Sequence, residues 1–249
     1  MIPNKSPRIG RSAATNNMKL ALETMYAGID APEGVDKMMI FYGPSGYGKS
    51  VAVTHVAATT DAVYVELNKI WTDKWLLTKI ARELDLAYIQ RTTTGIFDQV
   101  VEKFIETQRP LIIDEADYMI DRGSPEILRD IHIKAKTPIL MVGEESFLAR
   151  IKRWDRFDSR ILLAKAATPS SFEDGHLLRD IYCDRVAIAD DLTDHFTQQY
   201  KGVTRRIVNA LQNAQTIAIE NIAMEKLVLD GPLDLAAWSK CSAALVGGY

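Results

Sequence analysis

Cysteine and histidine are scarce in this sequence, and long apolar runs are missing from it. Among 249 residues there are two cysteines, Cys183 and Cys241, and four histidines, with no CxxC pair and no His/Cys cluster at metal-ligand spacing. This excludes a disulfide-stapled secreted scaffold and the usual zinc sites. Because no run of about 18 residues is apolar and the N-terminus lacks the apolar core of a signal peptide, we expect a cytoplasmic protein with no membrane partner.

An excess of positive charge is also missing. Lysine and arginine number 30 against 33 aspartates and glutamates, which gives a formal net charge of −3. Any contact with nucleic acid must therefore come from a local patch of cations rather than from the chain as a whole. Hydrophobic residues make up 47% and charged residues 25% of the chain, which is typical of a globular protein and excludes collagenous, coiled-coil and disordered classes.

Short apolar runs alternate with longer stretches of helical periodicity over the first two thirds of the chain. This alternation predicts parallel strands joined by helical crossovers. After Thr168-Pro169 the strand pattern stops and amphipathic helices follow, the first of which we expect to start at a capping box of Ser170 and Glu173. The predicted strands are 37–42, 63–67, 110–113, 137–142 and 160–163.

Three segments follow from this pattern. Residues 1–14 are basic, contain no acidic residue and predict a loosely ordered arm. Residues 15–168 predict an α/β domain that contains all five strands. Residues 169–249 predict a small all-helical domain.

A glycine-rich stretch directly after the first predicted strand matches G-x-x-x-x-G-K-[ST], the pattern of a phosphate-binding loop. The glycines let backbone N–H groups converge on phosphates, and the positive end of the following helix adds to them. Lys49 is expected to reach the β- and γ-phosphates of ATP, and Ser50 to ligate Mg²⁺. A glycine-rich turn with an exposed lysine is the alternative. The residues predicted to contact the nucleotide here are Gly43, Pro44, Ser45, Gly46, Tyr47, Gly48, Lys49, Ser50 and Val51.

An acidic pair, Asp114-Glu115, ends another buried run, Pro110-Leu-Ile-Ile. Phosphoryl transfer needs one carboxylate in the Mg²⁺ shell and a second group to orient the attacking water. We therefore expect Asp114 to hold the metal together with Ser50, and Glu115 to act on the water. The alternative is an ordinary strand that ends in a solvated acidic edge, and the loop at 43–50 argues against it.

Together these motifs resemble the AAA+ ATPases. A phosphate-binding loop, an Asp-Glu pair with one predicted strand between them, and a helical C-terminal part have the layout of that family over residues 15–230. The resemblance implies an α/β core with a parallel sheet ordered 5-1-4-3-2, a helical lid domain after it, and ATP bound between the two. It also implies self-association into rings or helical filaments in which a neighbouring subunit completes the active site.

The resemblance implies two sensor residues. At the end of the fourth strand, where most members of the family carry Asn or Thr as sensor 1, this chain has acids, and Glu144 occupies the position. In the helical part, the segment Gly202-Val-Thr-Arg205 resembles sensor 2, with Arg205 reaching over the γ-phosphate. A simple cationic first turn of a helix is the alternative for Arg205.

The resemblance also implies an arginine finger, a guanidinium that stabilises charge on the phosphoryl group of a neighbouring subunit. The segment Ser159-Arg160-Ile resembles the one that holds this residue in initiator- and transposition-type members. Arg160 is therefore the first candidate and Arg156 the second. The alternative is a solvated basic face paired with Asp155 and Asp158.

The motifs GPSGYGKS, LIIDEAD and GVTRRI most resemble the transposition regulators among AAA+ ATPases, such as the phage Mu transposition protein B. That resemblance implies sequence-independent binding of double-stranded DNA on the inner surface of a filament, and recruitment of a transposase. Lys69 and Lys74 fall in the segment that faces DNA in this subgroup, with solvated surface charges as the alternative. Trp71 and the apolar residues after it have helical spacing and are predicted to be core.

The leading hypothesis is therefore an ATP-dependent, DNA-binding AAA+ ATPase that oligomerises on target DNA and stimulates a transposase in target selection and immunity. Two alternatives stay open. A helicase loader or another remodelling AAA+ ATPase has a similar core. A nucleotide-gated scaffold with negligible turnover would fit the unusual acids near sensor 1.

Overall fold

The structure is a computed structural model that describes residues 14–123, 125–225 and 227–246. Nearly all of the predicted basic arm, 1–14, lies outside these residues. The chain divides into two compact units, of which the first is Asn17–Ala167 and the second contains the residues from Thr168 onward. In the part of the chain that is described, no helix is long and apolar enough to cross a membrane.

The first unit is built on a five-stranded sheet. Its strands are Met38–Tyr42 (β1), Val63–Glu66 (β2), Leu111–Asp114 (β3), Ile139–Gly143 (β4) and Ile161–Ala166 (β5). All neighbouring strands pair in parallel, in the order β2-β3-β4-β1-β5. The sheet order implied by the resemblance is therefore confirmed.

Helices cover both faces of this sheet, as parallel strands require. They are Asn16–Ile29 (α1), Lys49–Thr60 (α2), Asp73–Glu83 (α3), Thr93–Thr107 (α4), Asp117–Arg122 (α5), Glu126–Ala135 (α6), Phe147–Ile151 (α7) and Asp155–Asp158 (α8). Leu111 and Ile113 of β3 lie in the cluster that contains residues of α3, α4 and α6, whereas Ile112 lies in the cluster with α1 and α2. Trp71 is 1% exposed and joins the first cluster, so its predicted role in the core is confirmed.

The second unit is helical. Its helices are Phe172–Tyr182 (α9), Asp190–Gln199 (α10), Thr204–Ala223 (α11) and Leu235–Val246 (α12). Apolar residues that recur every three or four positions form its core, among them Leu192, Phe196, Ile207 and Leu211.

The capping box of α9 is one residue later than predicted. Ser171 is the N-cap, its Oγ accepts the N–H of Asp174 at 3.2 Å, and the Asp174 carboxylate accepts the N–H of Ser171 at 3.0 Å. The prediction of Ser170 and Glu173 was therefore wrong. The Ser170 hydroxyl, one residue before the cap, is buried and hydrogen-bonded to the Thr204 hydroxyl at 2.7 Å.

Candidate nucleotide site

The predicted phosphate-binding loop connects β1 to α2. Gly46 (φ 86°) and Gly48 (φ 79°) have a left-handed backbone that favours glycine. Gly48 is the N-cap of α2, and no side chain makes a capping hydrogen bond there. The first N–H groups of α2 therefore point out of the helix end without a side-chain acceptor, at the end where the helix dipole is positive. This arrangement suits a phosphate group.

Lys49, the first residue of α2, folds back onto the loop. Its Nζ donates hydrogen bonds to the carbonyl oxygens of Gly43 (2.7 Å) and Pro44 (3.0 Å). Burial lowers the pKa of Lys49, while the carboxylates of Glu115 and Asp114 oppose that shift. The ammonium group is thus held by neutral carbonyls, which an anionic phosphate could replace.

The other predicted loop residues are held in place or exposed. The carbonyl of Tyr47 accepts a hydrogen bond at 2.8 Å from the side-chain amide of Asn17, a buried residue of α1. Ser45 and Ser50 are exposed, and Val51 is 53% exposed in the first turn of α2. The loop is therefore anchored on one side and open to a ligand on the other.

The acidic pair lies where β3 ends. Asp114 is 2% exposed, and its Oδ1 accepts the N–H of Glu115 at 2.9 Å. Glu115 has a left-handed backbone, with φ 55°, which is uncommon for a residue with a side chain. Burial and then the neighbouring Asp114 carboxylate raise the pKa of Glu115.

The strand order brings the two motifs to one edge of the sheet. β4 lies between β1 and β3, so the ends of these three strands are neighbours. Gly43, after β1, donates its N–H to the carbonyl of Gly143 at the end of β4, at 3.3 Å. Glu144 follows directly; its side chain is exposed, and its charge acts on Lys49 together with those of the acidic pair.

The donor set fits Mg²⁺. A serine hydroxyl at Ser50 and a carboxylate at Asp114 are oxygen ligands, which Mg²⁺ prefers. No three His, Cys, Asp or Glu side chains among the described residues form a ready-made cation cage. Mg²⁺ usually takes one or two protein ligands and completes its shell with water and substrate phosphates, so such a cage is not needed.

Asp117, the fourth residue of the acidic motif, was not among the predicted site residues. The Asp117 side chain is 11% exposed, and its Oδ2 accepts the N–H of Glu144 at 2.6 Å. Its Oδ1 lies 3.4 Å from the guanidinium of Arg150, which also pairs with Asp121. Burial raises the pKa of Asp117. This carboxylate joins the segment after β3 to the segment after β4, and its place in D-E-x-D was the signal that could have identified it.

The two candidate finger arginines differ in their partners. Arg160 donates to both carboxylate oxygens of Asp36, at 3.0 and 3.1 Å, and Asp36 also lies 3.2 Å from Nε2 of the buried His132. Arg156 is exposed on α8, and its side chain forms no ion pair or hydrogen bond with the described residues. Among the described residues Arg160 pairs with Asp36 rather than with Asp155 or Asp158, and Arg156 is exposed to solvent.

Arg205, the predicted sensor 2, lies in the helical unit. It is exposed and is the second residue of α11. The helix itself begins after Gly202 (φ 71°) and the N-cap Val203. A Cβ on Gly202 would lie 2.6 Å from a carbon of Pro169, so the turn before α11 requires glycine. The contact of Arg205 with the nucleotide stays a prediction.

Lys69 and Lys74 are both exposed, Lys69 in the loop after β2 and Lys74 in the first turn of α3. The loop is ordered by a hydrogen bond at 3.0 Å from the N–H of Ile70 to Oδ1 of Asn68, and Ile70 itself is 84% exposed. Lys74 also lines a shallow depression along α3 of about 300 Å³, which sequence analysis missed. Its lining residues are Thr72, Lys74, Trp75, Thr78, Lys79 and Arg82.

Known proteins that are similar to this chain carry AAA+ domains. Residues 33–151 match a family model described as an AAA domain. A stretch of 114 residues is 30% identical to the replication factor C large subunit of Methanothrix thermoacetophila. The aligned stretch covers 45% of this chain and 22% of that protein. The chain thus spans about a fifth of the length of this curated relative.

Solved structures of similar fold cover nearly the whole chain. The Aeropyrum pernix ORC1 protein in complex with DNA has a TM-score of 0.61 at 15% identity, over 96% of this chain and 68% of that one. The ADP form of the Aeropyrum pernix ORC2 protein has a TM-score of 0.65 at 17% identity, over 96% and 70%. The chain has the α/β AAA+ fold, with a five-stranded parallel sheet and a helical C-terminal part.

Proposed function

We propose that this protein binds ATP with Mg²⁺ and hydrolyses it. The observation that carries the proposal is the placement of Lys49 after β1 and of Asp114 and Glu115 after β3, with only β4 between these strands. Lys49 exchanges its two carbonyl partners for the β- and γ-phosphates, and Glu115 orients the attacking water. Bound Mg²⁺, held by Ser50 and Asp114, neutralises charge on the phosphates. AAA+ domains are typically ATPases, which supports this assignment.

Two variants test the ATPase proposal. Glu115→Gln keeps the size of the side chain and removes its charge, so ATP binding is retained while hydrolysis falls by about a hundredfold or more. Lys49→Ala removes the cation and abolishes both. If wild-type protein binds ATP but hydrolyses it at the background rate, the function is that of a nucleotide-gated scaffold instead.

Arg156 is the better finger candidate. A finger must leave its own subunit to reach a neighbour's phosphate. Arg160 is already paired with Asp36, an ion pair that it would have to give up to reach a neighbouring subunit. Replacement of Arg156 by alanine therefore lowers hydrolysis without loss of ATP binding, whereas replacement of Arg160 acts mainly on stability.

We propose further that the α3 surface binds double-stranded DNA without sequence preference. Lys74, Thr78 and Arg82 recur every four residues and form one row, with Trp75 and Lys79 beside it. The row extends over about 12 Å, enough to follow a phosphate backbone. Within the described part of the chain, Lys69, Lys74, Lys79 and Arg82 form no salt bridge, so these cations are available to phosphates.

Charge reversal tests this surface. Lys74→Glu with Arg82→Glu is expected to weaken binding of duplex DNA by at least tenfold in fluorescence anisotropy with a slowly hydrolysed ATP analogue. Lys19→Glu with Lys134→Glu makes the same change of charge on α1 and α6, and serves as the matched control. Equal affinity for DNA in the two double variants would contradict the assignment.

Recruitment of a transposase is the finer part of the proposal, and it rests on the motifs alone. The relatives named above include an ORC1 protein solved with DNA and a replication factor C subunit, which favour a role on DNA but do not point to one partner. Electron microscopy with the ATP analogue, with and without duplex DNA, separates the alternatives. DNA-dependent helical filaments support the transposition regulator, and closed rings indifferent to DNA favour a loader or remodelling ATPase.

A further inference from the structure

Tyr64 on β2 contacts the acidic pair from the neighbouring strand. Its hydroxyl donates a hydrogen bond to Oδ2 of Asp114 at 3.0 Å. In the parallel register Tyr64 lies opposite Ile112, and Glu66 lies opposite Asp114. Since side chains two positions apart share a face, Tyr64 and Asp114 are diagonal neighbours on one face of the sheet, within reach of an aromatic side chain.

The ring of Tyr64 also packs against the helix that follows the predicted phosphate-binding loop. It lies in the apolar cluster that contains Ala52, Val53 and Val56 of α2. The first turn of this helix carries Ser50, whose carbonyl accepts the Thr54 hydroxyl at 2.8 Å. Tyr64 thus hydrogen-bonds to the carboxylate proposed for the Mg²⁺ shell and packs on the helix that carries the serine proposed for it.

The two oxygens of Asp114 have separate partners. Oδ1 accepts the N–H of Glu115, and Oδ2 accepts the hydroxyl of Tyr64. With both oxygens bonded and the residue 2% exposed, the plane of this carboxylate is fixed before any metal binds. Each oxygen keeps a free lone pair, because a carboxylate has about four acceptor sites. The carboxylate is therefore oriented and still able to accept from the metal shell.

We propose that Tyr64 is a positioning residue for Mg²⁺, acting through the carboxylate of Asp114. The inference rests on the proposed ATP function. It names Tyr64 as the residue that sets how strongly Mg²⁺ binds with the nucleotide. Groups that hydrogen-bond to metal ligands typically change metal affinity by about 10- to 100-fold. The Tyr64 ring packs in the apolar cluster with α2, so removal of the hydroxyl alone leaves that packing in place.

Tyr64→Phe tests the inference with nucleotide affinity as the readout. A fluorescent ATP analogue is bound to the full chain first in EDTA and then across a Mg²⁺ titration. We expect affinity in EDTA to stay within about twofold of wild type, and the Mg²⁺ concentration at half-maximal enhancement to rise about tenfold. Tyr26→Phe, which removes the same atom from an exposed tyrosine of α1, leaves both quantities unchanged.

Two results would overturn the inference alone, and a third would overturn the proposed ATP function as well. If the Mg²⁺ midpoint of Tyr64→Phe equals that of wild type, Tyr64 does not position the metal. If affinity falls equally in EDTA and in Mg²⁺, its role is structural. If wild-type protein binds no ATP in either buffer, the proposed ATP function fails together with this inference, and the wild-type control distinguishes that case.

Discussion

Glu115 combines a left-handed backbone with a raised pKa. Burial is the main cause of the higher pKa, with a further contribution from the neighbouring Asp114 carboxylate. Backbone strain and a perturbed pKa at one residue are typical of a functional position. We infer that the fold tolerates a cost in stability at Glu115 because the proposed chemistry needs a charge there.

That cost predicts a stability difference that depends on pH. Because the pKa of Glu115 is higher in the folded state than in the unfolded state, its ionised form destabilises the fold at neutral pH. The penalty disappears as the pH falls through the folded pKa and the carboxyl becomes protonated. Glu115→Gln is therefore expected to raise the Tm by about 1–2 °C at pH 7.5, a small value because the side chain is partly exposed to solvent.

Thermal unfolding at a series of pH values measures this effect. The Tm values of wild type and Glu115→Gln should converge as the pH falls toward the pKa of an ordinary glutamate. Glu23→Gln, on the exposed face of α1, is the matched control, and we expect no such difference for it. A Glu115→Gln protein less stable than wild type at pH 7.5 would show that the carboxylate stabilises the fold.

Among the elements of the fold, β4 connects the parts of the site. Its last residue, Gly143, accepts a hydrogen bond from Gly43 of the phosphate-binding loop, and the next N–H donates to Asp117. A Cβ on Gly143 would lie 2.4 Å from Cγ of Phe147 and 2.7 Å from Oδ2 of Asp117. The strand end therefore needs glycine for close packing, although its backbone is not left-handed.

Gly143→Ala is expected to destabilise the protein by about 1–3 kcal/mol, because the added methyl group must displace Phe147 or Asp117. Urea unfolding followed by fluorescence measures the loss. For comparison, Gly231→Ala adds a methyl group that meets no atom within 4 Å, and its effect should be near zero. Equal stability of the two variants would mean that the contacts around Gly143 are loose.

The net charge of −3 of the whole chain opposes DNA binding, so the proposed DNA-binding surface on α3 would have to supply the attraction locally. Counterion release makes the logarithm of affinity fall with the logarithm of salt concentration, by about 0.9 for each phosphate neutralised. If Lys69, Lys74, Lys79 and Arg82 each contact a phosphate, the slope is about −3 to −4 for each bound subunit. Lys74→Glu with Arg82→Glu should reduce its magnitude by about two.

Affinity measured between low and moderate salt gives this slope directly. The Lys19→Glu and Lys134→Glu control should keep the wild-type slope while lowering the net charge equally. A similar decrease of slope in the control would assign the attraction to the overall field of the protein rather than to α3.

The strands, the predicted phosphate-binding loop and the acidic pair could all be predicted from the sequence. Each of these depends on residues close together in the chain: an apolar run that can be buried on both faces, glycines at Gly46 and Gly48 where the backbone turns left-handed, and Asp114 at the end of a buried strand. The order of the sheet came from the resemblance to a family, not from these local patterns.

Which distant residues meet could not be predicted from the sequence, because it depends on how the whole chain packs. Tyr64 and Asp114 are 50 residues apart, and Asp36 and Arg160 are 124 residues apart, and no local pattern relates the members of either pair. The register of β2 on β3 creates the first contact, and the packing of the segments before β1 and before β5 creates the second. The partner of Arg160 illustrates the same point, because the residue that a guanidinium meets depends on the whole fold.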